Sequence, residues 1–116
     1  MKVELRVNEQ TIPAVLEDTP TARAFLQLLP LELTLEDYSG TEKIADLPKR
    51  LTAEGAPKAT EPKAGDIAYY TLRGNLAIFY RDFRNSPGLI RPGRIDASID
   101  PLRFVGGAKV TNSLSP

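Results

Sequence analysis

A chain of 116 residues with 41% hydrophobic content is long enough for one packed core and too short for two. Its 15 basic and 15 acidic residues cancel, which argues against a general nucleic-acid binder, whose affinity needs a basic surplus to release counterions. Cysteine and histidine are absent, so disulfides, thiolate chemistry, Ser-His-Asp triads and the common zinc sites drop out together.

The opening run Met1–Val7 alternates Val3, Leu5 and Val7 with Lys2, Glu4 and Arg6, the period of a half-buried strand. Asn8-Glu9 turns it into a second strand, Thr11–Leu16, in which Pro13 lacks a donor and belongs at an edge or irregularity. Asp18-Thr19-Pro20 then starts a helix. Thr19 is placed to cap it, and Pro20 takes the first helical position, where a missing N–H costs nothing. Ala24, Phe25, Leu28 and Leu29 give it one apolar face, and Pro30 stops it.

Leu31, Leu33 and Leu35 alternate with Glu32, Thr34 and Glu36, so periodicity predicts a strand even though leucine and glutamate favour helix. Ser39-Gly40 is a turn, and Glu42–Pro48 reads as either a short strand or one helical turn. From Ala53 to Lys63 the composition shifts to Gly, Ala, Pro, Lys, Glu and Thr, which is a loop. Two runs rich in β-branched and aromatic residues, Asp66–Leu72 and Leu76–Arg81, flank Arg73-Gly74-Asn75. That is hairpin chemistry, because glycine and asparagine tolerate the positive φ of a tight turn. Leu89–Arg91 and Gly93–Ala97 are strand pieces interrupted at Pro92-Gly93, the mark of a bulge or bend. Asp100-Pro101 opens a short helix expected to end at Gly106-Gly107, and Lys109–Thr111 is a terminal strand. About eight short strands with one or two short helices, in a single domain over residues 1–116, close most economically into a β-barrel, which leaves no exposed edge.

The N-terminus has no signal-peptide core, and no apolar run approaches the ~18–20 residues of a membrane span. The expectation is a soluble, cytoplasmic chain without membrane or nucleic-acid partners, and with no cofactor or metal. Charge is nonetheless segregated. Residues 1–72 carry 8 Lys/Arg against 12 Asp/Glu, a net of −4, and residues 73–116 carry 7 against 3, a net of +4. Such a dipole can draw an anionic ligand to the C-terminal half; the alternative is a solvated surface whose charges happen to segregate.

Several fragments carry a resemblance. Thr19–Phe25 is similar to the helix start of the cyclophilins, and Gly65–Tyr70, Asn75–Tyr80, Gly40–Ile44, Gly88–Arg91 and Gly93–Ile95 resemble a bacterial branch of cyclophilin-like domain proteins of uncharacterised function. The resemblance spans nearly the whole chain and implies an all-β, closed cyclophilin-like barrel. Cyclophilins are peptidyl-prolyl isomerases, and their catalysis depends on an arginine on the strand after the first helix, an apolar pocket with a phenylalanine, and a rim histidine. The matching strand here is Leu31–Glu36, and no arginine lies between Arg23 and Arg50. Phe79 matches the pocket phenylalanine, and Leu89 falls near the histidine position. The isomerisation barrier is about 18–20 kcal/mol, and lowering it needs a donor that weakens amide resonance. This chain presents glutamates there instead.

The reading is therefore a non-catalytic module that binds a small molecule or peptide in a groove beside the central hairpin. Its candidate lining residues are Tyr70, Phe79, Arg81, Arg91 and Arg94. Alternation places Phe79 and Arg81 on one face; the competing view is that Tyr70 and Phe79 pack in the barrel and the arginines are solvated. The alternative function is a weak or degenerate peptidyl-prolyl isomerase. A catalyst using Glu42, Asp46 or Asp82 would be another, although carboxylates without a partner or metal spacing are usually surface. Exposed edges at Pro13 and Pro92-Gly93 could pair with another chain, and the oligomeric state is not legible.

Overall fold

The computed structural model describes residues 1–7, 10–103 and 108–114, the last segment as backbone. In chain order the elements are β1 (Lys2–Val7), β2 (Gln10–Leu16), α1 (Pro20–Leu26), β3 (Leu31–Tyr38), β4 (Glu42–Asp46), β5 (Ala59–Thr60), β6 (Asp66–Tyr70), β7 (Asn75–Phe79), β8 (Ser86–Pro87), β9 (Leu89–Ile95), a 3-10 turn (Asp100–Leu102) and β10 (Ala108–Leu114). The protein is mostly β with one α-helix. Its main sheet is antiparallel and curled, with hydrogen-bonded order β1, β10, β3, β4, β7, β6, β9, β2, and β2 pairs again with β1.

Alternation explains why the sheet curls around an apolar interior. Val3, Leu5 and Val7 of β1, Ile12, Ala14 and Leu16 of β2, and Leu33 and Leu35 of β3 all point inward and are buried. Ile67 and Tyr69 of β6 and Leu76 and Ile78 of β7 complete that core. Each such aliphatic side chain taken out of water contributes about 1.5–3 kcal/mol. Tyr69 is 1% exposed and spends its hydroxyl on the backbone N–H of Leu51, at 3.0 Å. That bond ties the loop after β4 to the interior.

The helix begins where the sequence places it. The Thr19 side chain accepts from the Ala22 N–H at 3.2 Å, and Pro20 is its first residue. Its buried face is Thr21, Ala22 and Phe25, with Ala24, Leu28 and Leu29 only partly covered. The apolar stripe is thus rotated toward Thr21, whose hydroxyl donates to the Thr52 carbonyl at 2.6 Å. Glu42–Asp46 is a strand rather than a helical turn, held between β3 and β7. Leu89–Ile95 is one strand, and its register with β6 slips between Ile67–Gly93 and Tyr69–Ile90, so the break at Pro92 is a bulge. Pro13 pairs with Glu4 of β1, whereas β2 meets β9 only through Ala14–Leu16. Its missing donor falls where the second ladder has ended. The turn expected at Asn8-Glu9 and the helix end at Gly106-Gly107 lie outside the described residues. The terminal strand is longer than expected, Ala108–Leu114.

One feature of the sheet positions the site. All five residues of β7 are buried, so this strand is covered on both faces. On the face opposite the main core, Ala68, Ala77, Phe79 and Leu89 form a second cluster, packed by Ile44, Tyr70 and Phe83. The chain after β7 folds back to cover it. The Phe83 ring stacks on Phe79 with centroids 6.4 Å apart, and the Phe83 N–H donates to the Pro62 carbonyl at 3.0 Å. Just beyond, β8 pairs with β5, which lies inside the loop expected from Ala53 to Lys63.

Candidate functional site

Beside that second cluster lies a pocket of about 560 Å³, in the size range of small-molecule sites. Its floor is the outward face of β4, β7 and the end of β6, through Glu42, Ile44, Asn75 and Tyr70. Tyr38, Ser39 and Thr41 from the β3–β4 turn form one wall, and Phe83, Arg84, Asn85, Ser86 and Pro87 form the cover, with Arg73 at the hairpin turn. Register explains the hollow. Ala77 of β7 stands opposite Ile44 on one side and Ala68 on the other. Ala68 and Ala77 present only methyl groups to this face, and the Tyr70 hydroxyl reaches Glu42 Oε1 at 3.5 Å. The turn that positions Arg73 requires a left-handed residue, supplied by Gly74 at φ +70°.

Glu42 is 3% exposed. Burial disfavours its charged form and pushes its pKa up to about 7, although the Tyr70 hydrogen bond pulls the other way. Burial and the neighbouring Glu42 push the Tyr70 hydroxyl up to about 12. The second Glu42 oxygen, Oε2, is buried without a hydrogen-bond partner, and so is Asn75 Oδ1. Among the described residues these are the two buried side-chain polar atoms without a partner, and both residues line this one pocket. Buried polar groups are nearly always paired, so two such oxygens in one cavity make it the candidate site.

Next to the pocket, Lys43 points to the other side of β4 and is fully buried. Its Nζ lies 3.1 Å from Asp37 Oδ1 and 5.3 Å from the centroid of the Tyr80 ring. The Tyr80 hydroxyl donates to Asp37. That bond, reinforced by Lys43, holds the Asp37 carboxyl below its ordinary value. This network fastens β3, β4 and the end of β7 and fixes the wall from Tyr38 to Thr41.

The five residues expected to line a single groove are dispersed. Tyr70 lines the pocket, half-buried. Phe79 is 0% exposed and supports the second cluster from below, because Phe83 covers the face it shares with the strand's outward positions. Arg81 is exposed and lines neither this pocket nor the next. Arg91 lies at a second hollow, with Glu17, Asp18 and Glu54, and donates to Glu17 at 3.0 Å. Arg94 is exposed and pairs with Asp96 at 3.2 Å. Of the candidate carboxylates, Asp82 accepts the Ala64 N–H at 2.8 Å and is structural, whereas Glu42 is in the pocket. Arg73, Arg84, Asn75 and Tyr38 also line the pocket, and nothing in the sequence singles them out. The available signal was Glu42 itself, an acid on the same strand face as Ile44. No group of three metal-ligating side chains is gathered among the described residues, and no helix among them is long and apolar enough to cross a membrane.

The outward face of β3, where a prolyl isomerase needs its cation, carries exposed Glu32, Thr34 and Glu36. No curated protein matches the chain. The solution structure of the hypothetical protein AF2241 from Archaeoglobus fulgidus is similar in fold, with a TM-score of 0.75 at 19% identity, over 99% of this chain and 95% of that one. Residues 5–113 match the Cyclophilin-like family, and the chain belongs to that family.

Proposed function

We propose that this protein is a non-catalytic binding module that takes a small molecule or a peptide end into the pocket beside its central hairpin. We treat the curled sheet as an eight-stranded barrel closed through β10, whose rigidity holds the pocket open. The observation that carries the reading is the pair of buried, unpartnered oxygens, Glu42 Oε2 and Asn75 Oδ1, in one cavity. Leaving such a group unsatisfied costs about 1–3 kcal/mol, and a ligand that supplies its partners recovers much of that. The aromatic wall of Tyr38, Tyr70 and Phe83 gives such a ligand apolar area without further ordering of the protein.

A thermal-shift screen of small organic compounds tests this, because a ligand of the native state must raise the melting temperature. Thr41→Trp fills the pocket from its half-exposed wall. Hits are expected to stabilise the parent chain and to lose their effect in this variant, whose own melting temperature stays near the parent's. Hits that stabilise both chains equally place binding elsewhere and reject the reading.

A further inference from the structure

Resting on that reading, we infer that the pocket is selective for organic carboxylates with an apolar, aromatic-sized body. The acid group of such a ligand lies between the Glu42 carboxyl and the Arg73 and Arg84 guanidinium groups, and its body lies against Tyr38, Tyr70 and Phe83.

The charge of the lining supports this first. Arg73 and Arg84 are the cations that line the pocket, and Glu42 is its one acidic residue. Both arginines are exposed, and neither guanidinium group has an ion pair or hydrogen bond among the described residues. The Arg84 guanidinium is stacked 4.5 Å from the centroid of the Phe83 ring, which leaves its N–H edge available to an anion at the pocket mouth. A ligand cation in the same cavity would be repelled by both guanidinium groups of its lining.

The acid itself supports it second. With Oε1 accepting from Tyr70, a protonated Glu42 carries its hydrogen on Oε2, the atom without a partner. That O–H is a donor in search of an acceptor. A carboxylate oxygen is the strongest organic acceptor it can meet, in a charge-assisted O–H···O⁻ bond. A neutral carboxyl kept protonated by burial is a known way to hydrogen-bond a developing or resident anion. Glu42 meets the Tyr70 hydroxyl from β6 and stands in register with Tyr38 of β3 and Phe79 of β7, while Arg73 from the hairpin turn and Arg84 from the cover line the same pocket. Since burial sets the Glu42 pKa at about 7, binding a carboxylate takes up a proton near neutrality.

The test uses three probes of one shape and different charge: phenylacetate, phenylacetamide and phenethylamine, followed by NMR titration of the full chain. A dipeptide acetylated at its N-terminus and ending in phenylalanine with a free carboxylate adds the peptide source of the same chemistry. Phenylacetate is expected to shift the resonances of Tyr38, Tyr70 and Ser86, and its affinity to fall about fiftyfold between pH 7 and pH 9. Glu42→Gln keeps a donor without a titration, so its affinity for phenylacetate should be flat with pH. Arg73→Gln with Arg84→Gln should weaken binding at least about tenfold. Stronger binding of the dipeptide than of phenylacetate makes a peptide C-terminus the source, and the reverse makes it a free acid. If phenethylamine binds in preference, and more tightly as pH rises, the ligand class is overturned while the pocket stands. If phenylacetate binding to the parent chain is independent of pH, the role given to Glu42 is wrong. If no probe of any charge reaches the pocket at millimolar concentration, the binding reading itself falls.

Discussion

The Tyr70 hydroxyl donates to Glu42 Oε1 at 3.5 Å, while the other Glu42 oxygen has no partner. One hydrogen bond is too little to keep a carboxylate this deeply buried, so the acid shifts from its ordinary 4.5 to about 7.

Stability should therefore depend on pH in a definite direction. The folded chain holds the Glu42 proton between pH 4.5 and 7, where the unfolded chain has released it. The contribution of this group is intact below 4.5, is lost as pH rises through that window, and levels off above about 7. The full shift corresponds to about 3 kcal/mol. Asp37, whose carboxyl is lowered, acts oppositely, but only below its ordinary 3.8. Denaturant titrations at pH 5 and pH 8 check this: Glu42→Gln should gain stability relative to the parent at pH 8 and little at pH 5. Equal differences at both pH values would show that Glu42 is not buried as described.

Tyr70→Phe isolates the hydrogen bond. Because the hydroxyl favours the charged form of Glu42, its removal should raise the Glu42 pKa further and cost about 0.5–1.5 kcal/mol. A carboxyl-carbon NMR titration reads the shift directly. A downward movement would mean that the loss of Tyr70 had let water into the pocket, with solvation outweighing the missing bond.

The sequence makes the strands legible because alternation is a local property. Val3, Leu5 and Val7, or Leu31, Leu33 and Leu35, declare their faces without reference to anything distant. Thr19-Pro20 is equally local, and α1 begins there. Glu42–Asp46 stays ambiguous because five residues cannot separate a strand from a helical turn; β3 and β7 on either side decide it. The site is less legible for the same reason. Alternation correctly puts Ala77 and Phe79 on one face, but that face reads as solvent until Phe83 is known to stack on it. A buried outer face turns Phe79 from a lining residue into support, and turns Glu42 from a surface acid into the floor of a cavity.

Gly93 sits where β2 and β9 approach closely. A Cβ there would come 2.4 Å from the Val15 carbonyl oxygen and 2.8 Å from Leu16 Cδ2. The first contact is with backbone and cannot rotate away. Gly93→Ala should cost on the order of 3 kcal/mol by forcing the strands apart, seen as a lower denaturation midpoint with an unchanged slope. Gly55→Ala is the contrast: it has open space and a φ of +71°, so only its backbone conformation is penalised, by about 1 kcal/mol.

Tyr69→Phe probes the interior. The change keeps the ring and removes the acceptor of the Leu51 N–H, whose residue is 8% exposed. That backbone donor is then left buried and unpaired, at a cost of about 1–3 kcal/mol. Hydrogen exchange at the Leu51 amide should accelerate by more than the global loss of stability accounts for, because the loop after β4 opens locally first. Uniform acceleration across the sheet would instead mean that the loop and the main core open as one unit.

The last expectation concerns catalysis. Twisting a prolyl bond requires a cationic donor over a dry surface, and the β3 face that would carry it offers Glu32, Thr34 and Glu36. The guanidinium groups of Arg73 and Arg84 lie on the hairpin turn and the cover, in a pocket that also holds the Glu42 carboxyl, and not on the β3 face. A proline-limited refolding assay should show no acceleration by the parent chain at micromolar concentration. Glu36→Arg alone should not restore activity, because charge without the apolar seat supplies only half of the requirement. A clear rate gain from the parent chain would favour the isomerase reading over the binding one, and Arg73→Gln would then show whether the hairpin turn supplies the cation.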